Sequence, residues 1–260
     1  MDTRPFDPSV IFSTMPEMLP YLTVTLGVAA VSILLGSLLG GALAWGKLGK
    51  QRLWRYLANG YTYIMRCTPS IVLLFIVFYG LPRLVEAVVD YDLNGMNRAV
   101  FAVITFTLLF GAYISEVFRA AYTAVPKGQY EAAVSVGLWP RSAVLQVMLP
   151  QAAVIALPNF SNAVINLLKE GALAYTIGLI DLLGKGNLLI AQNFGAYGIE
   201  IYMACMIIYW VVTTLIGKCL LALERRLDKG QTLQATASGQ NKERRQKSSV
   251  PLFDRMTAVK

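Results

Sequence analysis

Between Met18 and Gly46 the chain runs 29 residues without a charged side chain, and Ser142–Leu168 repeats the pattern for 27. Backbone placed in hydrocarbon must satisfy its own amides, so only helices and closed barrels span a bilayer. About 20 apolar residues make one crossing helix. Three more stretches qualify: Tyr56–Pro82, interrupted only by Arg66; Ala99–Phe118, with Glu116 its one acid; and Ile201–Gly217, continuing through Lys218 to Leu223. Gly171–Ile199 is apolar but cut by Asp181, Lys185 and repeated glycines, and reads as a re-entrant or interfacial element. The expectation is an all-α membrane protein with five transmembrane helices. Its parts are an external segment 1–17, a transmembrane domain 18–228 and a flexible basic tail 229–260.

Orientation follows from the lysines and arginines, which accumulate on the cytoplasmic side. With the N-terminus outside, segments 47–55, 119–141 and 218–260 face inward and carry 4, 3 and 10 basic residues. The outer segments 1–17, 83–98 and 169–200 carry 1, 2 and 2. This asymmetry predicts a multi-pass protein, N-terminus out and C-terminus cytoplasmic. The acids Asp2, Asp7 and Glu17 give the first segment the wrong charge for a cleaved leader, so the first span is expected to persist.

Composition excludes several chemistries. Only 15% of residues are charged, against about 25% in soluble domains. There is no histidine, hence no histidine triad or HExxH metal site, and the three cysteines lack CxxC spacing. A net charge of +8 would suit nucleic acid, but seven Lys/Arg against two acids in 229–260 place most of it in the tail. No nucleic-acid partner is expected, and the tail is a candidate for contact with membrane lipid. Gly41-Ala-Leu-Ala-Trp-Gly46-Lys47-Leu48 imitates a phosphate loop, yet Leu48 stands where a magnesium-binding Ser/Thr is needed and no strand precedes it. Lys47 reads instead as a positive-inside anchor. Gly36-xxx-Gly40 is a close-packing pattern for transmembrane helices, or a chance pairing in a glycine-containing span.

The segment between the third and fourth spans carries more. Glu131-Ala132-Ala133, three residues, Gly137, nine residues, then Val147-Met148-Leu149-Pro150 suits a docking helix. Two alanines permit close approach to a partner, Glu131 near the first turn favours the helix dipole, and Gly137 supplies a left-handed end. This spacing resembles the EAA signature of ABC-importer membrane subunits, EAA-x3-G-x9-I-x-LP, with Val147 in place of isoleucine. Arg66-Cys67-Thr68-Pro69 with Tyr79-Gly80-Leu81-Pro82, and Glu116-Val-Phe-Arg119 leading into Pro126–Glu131, resemble the polar amino-acid permease branch. Ile177–Asp181 and Gly184–Tyr197 look most like members handling cystine or related sulfur amino acids. The similarity runs from about Tyr21 to Asp228; the long basic tail departs from it.

The resemblance implies the type I importer permease fold and a transport subunit rather than an enzyme. It implies no cofactor or metal in this chain, with ATP and magnesium on a partner ATPase. Expected partners are a second permease subunit, identical or homologous, two ATP-binding subunits docked at Glu131, Ala132, Ala133 and Gly137, and an extracellular or periplasmic solute-binding protein. Two other readings compete: a self-sufficient carrier or channel, and an intramembrane enzyme using Glu116, Asp181 or Glu170.

Polar residues in lipid are functional candidates. Asn159, Asn162, Asn166 and Lys169 or Glu170 recur at helical spacing on one face, just after Pro158 frees a carbonyl. They offer a zwitterionic amino acid neutral hydrogen bonds, a cation and an anion, or else bond between helices or subunits. Arg66 and Thr68, beside the Pro69 break, complete the candidates for the solute path. Arg66 and Glu116 are further expected to pair with each other or with backbone.

Overall fold

The computed structural model describes residues 6–93 and 95–248, with side chains described to Leu227. Among them there is no strand; five helices are long and apolar enough to cross a membrane. The chain divides into two compact units, 1–218 and 219–260. In the second, the described backbone is helical through Ser248; residues 249–260 of the expected tail, like 1–5 of the expected external segment, lie outside the described residues.

Helix α1, Pro8–Leu48, begins where the Asp7 carboxylate accepts the Ser9 amide at 2.9 Å and Pro8 fills a first-turn position that needs no donor. It packs along α5, Arg98–Ala124, the most enclosed of the five spans. Small residues set the distance between them. A Cβ on Gly36 would lie 2.9 Å from Phe110, and one on Gly40 would lie 3.0 Å from the Gly111 carbonyl. The Gly36/Gly40 pair is therefore a packing face.

The second stretch, expected as one span from Tyr56 to Pro82 with a break at Pro69, divides there into two helices. Helix α2, Arg52–Cys67, ends at an extended Thr68, because the ring of Pro69 disfavours a helical residue before it. Helix α3, Ser70–Phe75, a π-turn at Ile76–Gly80 and α4, Leu81–Val89, then form one 20-residue apolar helix.

After α5, the short α6, Lys127–Ser135, leads into the fourth span, Pro140–Ile177. That span comprises α7, Pro140–Ala143, a π-turn at Val144–Met148, α8, Leu149–Gly171, and a 3-10 turn to Ile177. Between Gly171 and Ile199 the only α-helix is α9, Leu182–Gln192, about 16 Å long and too short to cross. Buried Asp181 caps it, its carboxylate accepting the Gly184 amide at 2.8 Å. Helix α10, Gly198–Ser248, provides the fifth span in Gly198–Leu227.

A cluster of Ile11 and Met18 from α1, Leu182 and Leu189 from α9, and Ile201 and Cys205 from α10 joins the first span to the last. Polar contacts reinforce this end: the Asp7 amide donates to Glu200 at 3.1 Å, and Lys185 pairs with Glu17 at 3.5 Å.

Candidate functional site

The break at Thr68–Pro69 opens a cleft of about 340 Å³ between α2–α3, α5 and α8. Thr68 turns its hydroxyl back to the Ile64 carbonyl at 2.8 Å, and the Pro69 carbonyl receives the Val72 and Leu73 amides. The last residues of α2 are thereby left facing α8. Arg66 and Thr68 stand on one wall, Phe110 and Tyr113 on α5 form the back, and Asn166 and Glu170 stand on the other. The Arg66 guanidinium lies over the Tyr113 ring, 5.2 Å from its centroid, a cation–π contact that orients it without neutralising it. Neither Arg66 nor Glu170 forms an ion pair with the described residues. The cleft therefore presents opposite charges, neither in an ion pair, on facing walls, with Asn166 and Thr68 between.

Four of the seven residues expected on a solute path meet there. Asn159, Asn162 and Lys169 do not line it, although all three are exposed on α8. None of the three asparagines hydrogen-bonds to another helix among the described residues. Periodicity identified their shared face but not where the cleft stops.

The expected pairing of Arg66 with Glu116 is not formed. Glu116 instead accepts from Lys47 at 2.7 Å and from Nη2 and Nε of Arg119 at 2.8 and 2.9 Å. Lys47 also donates to Thr62 at 2.6 Å and Ser115 at 2.7 Å, and its side chain is 1% exposed. It is a buried cation tying α1, α2 and α5 together, not an interfacial anchor. The reason is geometric: close packing at Gly36 and Gly40 carries the end of α1 against α5 one turn before Arg119, where Glu116 waits.

Helix α6 ends as its glycine requires. Gly137 has φ +93, its amide bonds the Val134 carbonyl at 3.0 Å, and the Leu138 amide reaches Ala133 at 3.1 Å. This pair of bonds is the Schellman closure. Ala133 is buried, whereas Glu131 and Ala132 face outward beside exposed Val136 and Trp139. The helix starts at Lys127, so Glu131 lies in its second turn and not, as its spacing suggested, near the first.

Residues 32–231 match the family model described as binding-protein-dependent transport system inner membrane component. The chain is 37% identical over 238 residues to the L-cystine transport system permease protein TcyL of Bacillus subtilis, covering 92% of this chain and 98% of the relative. It is 34% identical over 210 residues to the histidine/lysine/arginine/ornithine transport system permease protein HisQ of Salmonella typhimurium, covering 80% and 91%. Among solved structures, an amino acid ABC transporter crystallised with histidines superposes with a TM-score of 0.75 at 28% identity, covering 86% of this chain and 100% of that one. The inward-facing methionine transporter MetNI, at 18% identity and a TM-score of 0.61, covers 81% and 94% and shares the fold.

Proposed function

Because the chain belongs to the family of inner-membrane components of binding-protein-dependent transport systems, a transport component rather than an enzyme, we propose that it forms the translocation path of an ATP-driven importer for polar amino acids, with L-cystine the leading solute. The observation that carries this reading is the cleft holding Arg66 opposite Glu170, both unpaired. An amino acid brings a carboxylate and an ammonium group together. Arg66 suits the carboxylate, since guanidinium binds it through two parallel hydrogen bonds. Glu170 suits the ammonium group, and Thr68 and Asn166 supply neutral partners. Lys169, the cation of the asparagine stripe, stands outside the cleft on this reading. Asn159 and Asn162 extend the same exposed face toward a second permease subunit. The similarity to a cystine permease supports the choice of solute.

ATP and magnesium belong on two separate subunits, which dock on α6 through Glu131, Ala132 and the Gly137 cap, with Ala133 packing inward. An external solute-binding protein delivers the amino acid. Asp92 lies outside; Lys50, α6 and the C-terminus lie in the cytoplasm, as the basic asymmetry requires.

Uptake of a panel of labelled amino acids by the reconstituted complex tests the proposal. L-Cystine should compete best, and Glu170→Gln should lose uptake of zwitterions while ATPase docking persists. Uptake by Glu170→Gln at the wild-type rate for every solute would remove Glu170 from the path.

A further inference from the structure

A second cavity, of about 560 Å³, lies between the ends of α1 and α8 and is floored by α5. Its walls are apolar and mostly small: Gly41, Ala44 and Trp45 on one side, Ala152, Ala153 and Ala156 on the other. Three features define what fits it. The groove runs lengthwise along the helices, from Gly49 to Gly41 on α1, about 12 Å, and from Val144 to Ala156 on the opposite wall, about 18 Å. One leaflet of a hydrocarbon core is about 15 Å thick, so the groove has the depth of a single leaflet. Two cations stand beyond its α6 end. Lys50 follows Gly49 at the rim, and Arg141 precedes Val144 by one helical turn; both are exposed. Neither forms an ion pair with the described residues.

We propose that this groove is a binding site for an anionic phospholipid, with an acyl chain lying between α1 and α8 and the phosphate held between Lys50 and Arg141. The match is one of length, polarity and charge: methylenes leave water for an apolar channel, while two cations at headgroup depth meet a phosphodiester. The site is separate from the solute cleft and shares no lining residue with it.

Gly41 supplies a clean probe, since a Cβ there meets nothing within 4 Å and a larger side chain enters the groove rather than a neighbouring helix. The assembled transporter, equilibrated with vesicles of mixed phosphatidylglycerol and phosphatidylcholine and then released into mild detergent, is weighed by native mass spectrometry. Wild type should retain phosphatidylglycerol preferentially. Gly41→Phe and Ala153→Phe, which fill the groove from opposite walls, should each cut retained lipid about tenfold or more. The double variant Lys50→Gln/Arg141→Gln should retain lipid but lose the preference for phosphatidylglycerol. Equal retention of both lipids by wild type overturns the proposal, as does undiminished retention by both filled variants. So does efficient cross-linking of Ala153→Cys to a second permease copy, which would assign the groove to a subunit interface. Should the filled variants fail to assemble, the lipid ratio of the charge variant decides.

Discussion

Lys47 places an ammonium group among three oxygens at the end of an otherwise apolar helix. With its side chain 1% exposed, that charge depends on Glu116. Removing one partner of a fully buried pair typically costs about 3–5 kcal/mol, whereas replacing both with apolar groups is often neutral; Glu116 is 26% exposed and shared with Arg119, so the cost here lies below that range. Glu116→Gln should therefore lower the melting temperature of the assembled complex, and adding Lys47→Met should recover much of it; additive losses in the double variant would contradict the pairing. At the cleft, a lost hydrogen bond to a charged group weakens binding by roughly 10- to 150-fold. Arg66→Gln should raise the half-saturating solute concentration within that range without changing basal ATP hydrolysis. A uniform fall in complex yield would instead assign Arg66 to structure. These two sites differed in how legible they were. Arg66 and Glu170 announce themselves as charges in apolar stretches. Lys47 does not, because a lysine ending a span is the ordinary sign of an interface, and its partner lies 69 residues away.

Elements were readable wherever a local rule fixes them. Gly137 was expected to end the docking helix in a left-handed conformation and does so at φ +93. A side chain there costs about 1–2 kcal/mol in backbone strain, and a carboxylate adds charge to a face proposed to bind the ATPase. Gly137→Asp should insert normally but copurify with less ATPase and uncouple hydrolysis from transport; wild-type uptake would remove α6 from its docking role. The start of α6 is not legible in the sequence because Pro126, at its N-cap, has no side chain that can accept from the first amides. The break at Pro69 is legible from its ring, but the extent of the second span is not: it runs Ser70–Val89 rather than Tyr56–Pro82, since the apolar run does not stop where the backbone turns. Glycines within α1 separate packing from mere tolerance. Gly36→Val would press on Phe110 and the Thr107 carbonyl and should destabilise by about 1–3 kcal/mol. Gly27→Ala meets open space and should be neutral or stabilising by up to about 1 kcal/mol. Thermal melts of the two variants side by side test whether α1–α5 contact is set by Gly36.

At the scale of the molecule, the five spans were legible because lipid imposes a length and a polarity on each. Their mutual packing was not, since apolar surface alone selects no neighbour. The proposed orientation has a direct test. A reporter active only in the cytoplasm should work when fused after Asp228 or near Lys50 and stay silent near Asp92; activity at Asp92 would reverse or redraw the topology. One further consequence comes from the core that joins α1 to α9 and α10. The ribosome releases α1 first and α10 last, so Ile11 and Met18 have no permanent neighbours until nearly the whole transmembrane domain has been made. Glu17 waits equally for Lys185, and the Asp7 amide for Glu200. A nascent chain stalled before residue 182 holds a first helix packed on α5 at its Gly36/Gly40 end but open at its Ile11/Met18 end, where a membrane protease could begin to extract it. Completion of the last span thus acts as a checkpoint on the first, and quality control of the growing polypeptide should discriminate sharply between chains ending just before and just after it.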